Sequence, residues 1–149
     1  MGNVKIRKAG KKDAEKILGL LYQLQRPKPK TGAENAAFRK LVYQYLDCKG
    51  KKIIIAEQDS EVVGVVSMML LPRLNRTKLE LYIPEMVVSE NRRGAGIGRL
   101  LMESCVRTAK KEKCFRIRLE SGNQRKDAHR FYESVGFEQT ALSYTRIIG

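Results

Sequence analysis

The spacing of apolar positions changes several times along this chain, and each change marks an element. Residues 4–8 (VKIRK) alternate apolar and basic side chains, the period of a half-buried strand. Residues 12–24 then place Ile17, Leu18, Leu20, Leu21 and Leu24 at helical spacing. The stretch Gln25-Arg26-Pro27-Lys28-Pro29-Lys30 cannot continue that helix, because proline lacks the amide and clashes with the preceding turn. A second helix is predicted over 34–46, with Phe38, Leu41, Val42 and Leu46 as its stripe. Residues 52–58 and 61–71 (EVVGVVSMMLL) read as two strands of a hairpin about Asp59-Ser60. Residues 79–89 (LELYIPEMVVS) are a long extended run in which Pro84 removes a ladder hydrogen bond, so a bulge or pairing break is expected there. A helix over 97–112 turns Leu100, Leu101, Cys105 and Val106 inward. A strand over 114–120, a helix over 126–134 and one or two strands within 137–148 complete the chain. The order is β, α, α, β, β, β, α, β, α, β, β. That describes an α/β fold, a mixed central sheet of six to seven strands flanked by about four helices.

A length of 149 residues favours a single domain, 1–149. With 42% hydrophobic and 31% charged residues the composition is that of a soluble globular protein. No apolar run approaches the roughly 18 residues that cross a bilayer. The charged N-terminus lacks the apolar core of a signal peptide, and Ile6 stands where myristoylation of Gly2 would want Ser or Thr. These features predict a cytoplasmic location. Cys48, Cys105 and Cys114 form no C-x-x-C pair and there is one histidine, so neither a disulfide framework nor a metal site is expected.

The net charge of +14 changes the picture of partners, because it predicts attraction to polyanions. Nucleic acid, a phosphorylated coenzyme and an acidic substrate all qualify. The basic residues are dispersed, with pairs such as Lys110-Lys111 reading as solvated faces.

The densest chemistry lies in RRGAGIG, residues 92–98, between the strand at 79–89 and the helix at 97–112. A strand, a glycine turn and a helix make a phosphate-binding geometry. The first helix amides have no internal partner, and the helix dipole adds positive charge. Glycine permits close approach and positive φ. Arg92, Arg93 and Arg99 bring full charge to the turn. A P-loop is excluded because no Lys-Ser or Lys-Thr follows the glycines. A dinucleotide fingerprint is excluded because Arg99 occupies its third glycine position.

Arg93-x-x-Gly96-x-Gly98 resembles the acyl-CoA motif of the GNAT acetyltransferases, Gln/Arg-x-x-Gly-x-Gly/Ala, with the same flanking strand and amphipathic helix. Asn123 and AHRFYESVGF (128–137) look like that family's second motif. The element order is also that of the GNAT fold, and the resemblance covers nearly the whole chain. The wording RKDAHRFYE (125–133) is most similar to small-amine acetyltransferases of the aminoalkylphosphonate type.

The resemblance implies acetyl transfer from acetyl-CoA, as co-substrate, to a primary amine. It places the coenzyme pyrophosphate on Arg93, Gly94, Ala95, Gly96, Ile97, Gly98 and Arg99. It places the pantetheine arm along Met86, Val87 and Val88 and against Asn123. An amide of this strand, that of Val87 among the candidates, would hold the tetrahedral oxyanion. Some family members place a general base where Glu85 stands, and Glu80, further from the turn, is the weaker alternative. Tyr132 matches the tyrosine that protonates the leaving thiolate. His129 lies three residues before it on the same helical face.

The resemblance further implies an acceptor pocket walled by the first two helices, their connection and the last hairpin, here residues 24–34 and 140–144. Tyr22, Tyr43, Tyr45 and Tyr144 are candidate walls. Arg26, Lys28, Lys30 and Arg73 would attract an anionic amine and repel a polycation. A protein lysine or N-terminal acetyltransferase remains an alternative, as does a catalytically silent acetyl-CoA sensor. A basic nucleic-acid-binding module is the rival from another class. It is disfavoured by the 7% aromatic content and the lack of an RNA- or DNA-reading motif. Homodimers are common in the family, so a dimer is one expected assembly.

Overall fold

The computed structural model describes residues 3–149, so Gly2 lies outside the described residues. It is a mixed α/β structure that divides into two compact units, one running to Arg118 and one from Leu119 to Gly149.

The first unit opens with β1 (Lys5–Lys8), a 3-10 turn and α1 (Ala14–Leu21). A second 3-10 turn, Tyr22–Leu24, ends in left-handed Gln25. Helix α2 (Gly32–Asp47) begins two residues before its expected start. Thr31 caps it by accepting from the Glu34 amide at 3.1 Å, and Glu34 reaches back to the Lys30 amide at 2.7 Å. Strands β2 (Lys51–Gln58) and β3 (Glu61–Leu71) form the expected hairpin. The long run at 79–89 divides into β4 (Glu80–Ile83) and β5 (Met86–Val88), both antiparallel to β3. Helix α3 (Ile97–Lys111) and strand β6 (Arg116–Leu119) follow. The sheet order is β1-β2-β3-β4-β6, with β5 paired to β3.

The core lies on both faces of this sheet. Ile53, Ile55, Val65 and Val87 on one face pack with Ile17, Leu18, Leu20 and Val42 of α1 and α2. On the other face α3 sits directly over Gly64. A Cβ built there would stand 3.1 Å from Leu101 Cδ1 and 3.3 Å from Ile97 Cγ2, so glycine sets how closely the start of α3 approaches β3. Arg7 grips Asp13 through two 2.9 Å bonds and donates to Glu57 at 2.9 Å, tying β1 to the entry of α1 and to β2.

The second unit contains α4 (Lys126–Ser134). The final strands expected within 137–148 do not form: residues 137–149 carry neither helix nor strand. Leu142, Tyr144, Ile147 and Ile148 of that segment are exposed. Alternation of apolar residues specifies a strand only where a neighbouring edge supplies the ladder. The six strands therefore arise from the division at Pro84 and not from a C-terminal hairpin.

Candidate active site

The division between β4 and β5 is a one-residue bulge. Val66 opposes Met86 and Met69 opposes Tyr82, so two residues of β3 face three on the other side. Pro84 is the insertion, and its missing amide suits the place where the ladder breaks. Past the bulge, β5 remains on β3 while β6 pairs with β4. Among the described residues β5 pairs with no strand on its other edge.

The ladder fixes which amides that edge presents. Ser67 donates to the Glu85 carbonyl at 2.9 Å, and Ser89 donates to the Val63 carbonyl at 2.8 Å. Antiparallel pairing alternates, so the intervening Val65–Val87 pair also points its peptide groups inward between the strands. The Val87 amide is thus turned towards β3 and cannot serve an oxyanion. The amides of Met86 and Val88 face the open edge.

After β5 the chain makes a 3-10 turn, Glu90–Arg92, and enters the glycine segment. Gly94 and Gly96 have φ of 82° and 85°. A Cβ at either would meet nothing within 4 Å, so positive φ, not crowding, requires glycine. Gly96 is the N-cap of α3 and supplies no side-chain cap. The leading amides of Ile97, Gly98 and Arg99 are therefore available to an anion. Arg99 is exposed on the first helical turn. Arg93 donates to the Val88 carbonyl at 3.2 Å, which draws it against the end of β5. Arg92 departs from expectation: it donates to Gln58 at 2.7 Å and pairs with Asp59 and Glu61, so its charge serves the β2–β3 hairpin. An open cradle, unmatched helix amides and nearby guanidinium groups fit a pyrophosphate, and the β5 edge fits an extended amide-bearing arm.

Glu85 follows the inserted proline and is half-buried. Its amide donates to Ser67 Oγ at 3.1 Å, and Ser67 Oγ donates in turn to its carboxylate Oε2. The Tyr45 phenol donates to the Met68 carbonyl at 3.2 Å. Burial pushes that phenol up to about 12; a hydrogen bond with Ser67 lowers it and the Glu85 charge raises it. Glu85 therefore sits at a bulge with a hydroxyl on one of its carboxylate oxygens and a phenol close by.

Glu80 is a different kind of carboxylate. It is wholly buried and bonded by Arg116 at 2.7 Å and Arg118 at 2.7 Å, with Arg73 at 3.4 Å. Burial alone would raise its pKa, but the hydrogen bonds from Arg118 and Arg116 hold it below the usual carboxylate range. A group so held is a poor proton acceptor, which removes Glu80 as a base and engages Arg73 structurally.

The connection between α1 and α2 reaches the bulge. Arg26 extends to the Pro84 carbonyl at 3.5 Å, and Gln23 accepts from the Glu90 amide at 3.1 Å. Lys28 and Lys30 are exposed. The wall tyrosines separate. Tyr45 joins Glu85, and Tyr22 packs against the core. Tyr43, under the Lys11 ammonium, lines a cleft of about 520 Å³ with Lys12, Arg39 and Lys40 that contains neither Glu85 nor the glycine turn.

In the second unit, Asn123 is exposed in the turn before α4. His129 Nε2 lies 2.8 Å from the Gly122 carbonyl, which ties the ring to that turn. Tyr132 is half-buried, edge-on to Phe131 at 5.5 Å and Phe137 at 6.0 Å. Ser67 is the residue that sequence reasoning missed. Its signal was visible as the polar position inside EVVGVVSMMLL.

Comparison with known proteins meets this geometry. A model of the acetyltransferase (GNAT) family matches residues 18–137. An aminoalkylphosphonate N-acetyltransferase of Salmonella typhimurium is 27% identical over 96% of this chain and 90% of its own. N-acetyltransferase 8 of Mus musculus is 30% identical over 70% of this chain. The chain spans less than half the length of the mouse and human N-acetyltransferase 8 and 8B proteins it matches. Among solved structures, glucosamine-6-phosphate N-acetyltransferase from Arabidopsis thaliana superposes with a TM-score of 0.84 at 21% identity, covering 99% of each chain. A transcriptional regulator from Bacillus halodurans C-125 gives 0.85 at 24% identity, over 98% of this chain and 100% of that one. These two share the fold.

Proposed function

We propose that this chain, which belongs to the GNAT acetyltransferase family, is a single-domain N-acetyltransferase (residues 1–149) that moves an acetyl group from acetyl-CoA to the primary amine of a small, acidic molecule. The observation that carries the reading is the bulge at Pro84. It places Glu85 beside a strand edge that leads directly into the glycine turn.

Acetyl-CoA supplies the acetyl group as a thioester. The amides of Ile97, Gly98 and Arg99, the Gly94-Ala95-Gly96 backbone and the charge of Arg93 and Arg99 hold its pyrophosphate. The open edge of Met86 and Val88, with the Val87 backbone anchoring that strand to β3, takes the pantetheine arm, and Asn123 is assigned to the same arm by its motif alone. Glu85 removes a proton from the acceptor ammonium, because only the free amine attacks. The Met86 amide receives the negative charge that develops on the carbonyl oxygen. As the C–N bond forms and the C–S bond breaks, Tyr132, assigned by the second motif, gives its proton to the departing sulfur, and the second proton shed by the new amide nitrogen restores the phenol through solvent.

Arg26, which reaches the Pro84 carbonyl next to Glu85, is the cation we assign to the anionic group of such an acceptor. The Salmonella relative acts, by its name, on aminoalkylphosphonates, and a Trypanosoma brucei relative on glucosamine 6-phosphate. Both names describe anionic amines, which a protein of charge +14 attracts. A cytoplasmic setting belongs to the same reading: no helix among the described residues is long and apolar enough to cross a membrane, and the three cysteines are unpaired.

The test is acetyl-CoA turnover with 2-aminoethylphosphonate, glucosamine 6-phosphate and an uncharged amine of similar size. Turnover of the anionic amines, with kcat lowered about 10²–10⁴-fold in Glu85→Gln, is expected. Turnover of the uncharged amine alone would refute the acidic acceptor. Wild-type kcat in the variant would refute Glu85 as base.

A further inference from the structure

We infer that Ser67 is a positioning residue for this chemistry: its hydroxyl fixes the Glu85 carboxylate so that one oxygen is committed and the other is aimed at the amine. The inference rests on the reading of Glu85 as general base.

Strand β3 is apolar through its interior, and Ser67 is the exception, only 7% exposed. A buried hydroxyl costs stability unless it is hydrogen-bonded. This one takes Glu85 as a partner twice and also meets the Tyr45 phenol. An amide can only donate, so Ser67 Oγ accepts from Glu85 N at 3.1 Å. An ionised carboxylate can only accept, so the same oxygen donates to Glu85 Oε2. The Ser67 amide completes the set by donating to the Glu85 carbonyl at 2.9 Å. Backbone and side chain of Glu85 are thus both held from one position on β3.

The bulge explains why this is needed. The extra residue at Pro84 takes the Glu85 amide out of register with a β3 carbonyl, and the serine oxygen stands in for it. A glutamate has three side-chain torsions, and at a half-exposed site several would be populated. With Oε2 bound to Ser67, the remaining oxygen, Oε1, faces a defined direction. Proton transfer requires such placement, and a displacement of about 1 Å in a reacting group can cost about 10²-fold in rate.

A serine that merely completed the ladder at the bulge would stabilise the fold and leave catalysis alone. A double-mutant cycle separates the two roles. With the amine of the panel above that turns over fastest, Ser67→Ala should lower kcat by about ten- to a hundredfold while the KM for acetyl-CoA stays unchanged. Ser67→Thr, which keeps the hydroxyl, should recover most of that loss. In a Glu85→Gln background, Ser67→Ala should cost nothing further, because its effect runs through the carboxylate.

A readout independent of turnover is the crystal structure of Ser67→Ala, in which the Glu85 carboxylate should leave its place. Wild-type kcat in Ser67→Ala with Glu85→Gln inactive would overturn the positioning role alone. So would an equal Ser67→Ala loss in both backgrounds, or a carboxylate that stays put in the variant. Full activity in Glu85→Gln would instead end the general-base reading itself.

Discussion

Two carboxylates five residues apart on one extended run have opposite fates, and the difference is in what faces them. Glu80 meets three guanidinium groups and is locked as an anion. Glu85 meets a serine hydroxyl at a bulge. Sequence spacing favoured Glu85 because it lies nearer the glycine turn, but it could not show that Glu80 is paired, because Arg116 and Arg118 are remote in the chain. Val87 shows the converse. Its place in the motif was legible, yet the direction of its amide depends on ladder parity, which only the Ser67–Glu85 and Ser89–Val63 bonds reveal. At this scale we expect Tyr132→Phe to lower kcat by about 10²-fold or more with little change in acetyl-CoA binding, read by steady-state kinetics beside calorimetry. An equal kcat in the variant would give Tyr132 a structural role, such as its packing with Phe131 and Phe137.

Most elements were legible because their apolar periods are sharp, as in α3 and the β2–β3 hairpin. The C-terminal strands were not, since an alternating pattern without a ladder partner is only a pattern. Ionic contacts between elements were also hidden, and they carry stability. Glu80→Gln should destabilise the protein by about 2–4 kcal/mol in denaturant melts, because arginines converging on a neutral amide lose their counter-charge. Asp13, hydrogen-bonded by Arg7, is likewise held below its ordinary value. For both groups the folded pKa lies under the unfolded one. Their contribution is therefore complete above the ordinary carboxylate range and fades as pH falls through the depressed values. Stability should decline below about pH 4, and Asp13→Asn should flatten that decline. At the α3–β3 contact, Gly64→Ala should cost about 1–3 kcal/mol and weaken acetyl-CoA binding, since the methyl pushes Ile97 and Leu101 outward and moves the glycine turn.

For the molecule as a whole, a charge of +14 would make association with the proposed anionic acceptor an electrostatic matter. Raising salt should increase the KM for an anionic amine by roughly three- to tenfold and leave that for an uncharged amine nearly unchanged. Equal salt effects on both would place the recognition in packing instead of charge. The claim beneath all of these is that the glycine turn holds acetyl-CoA. Calorimetry on wild type, Gly96→Ala and Gly96→Asp tests it most directly. Both substitutions carry the strain of a φ of 85° into free space, but only aspartate adds an anion at the pyrophosphate site. Binding by wild type, weakened in Gly96→Ala and abolished in folded Gly96→Asp, is the expected result. No binding by wild type, or equal binding by both variants, would contradict the account.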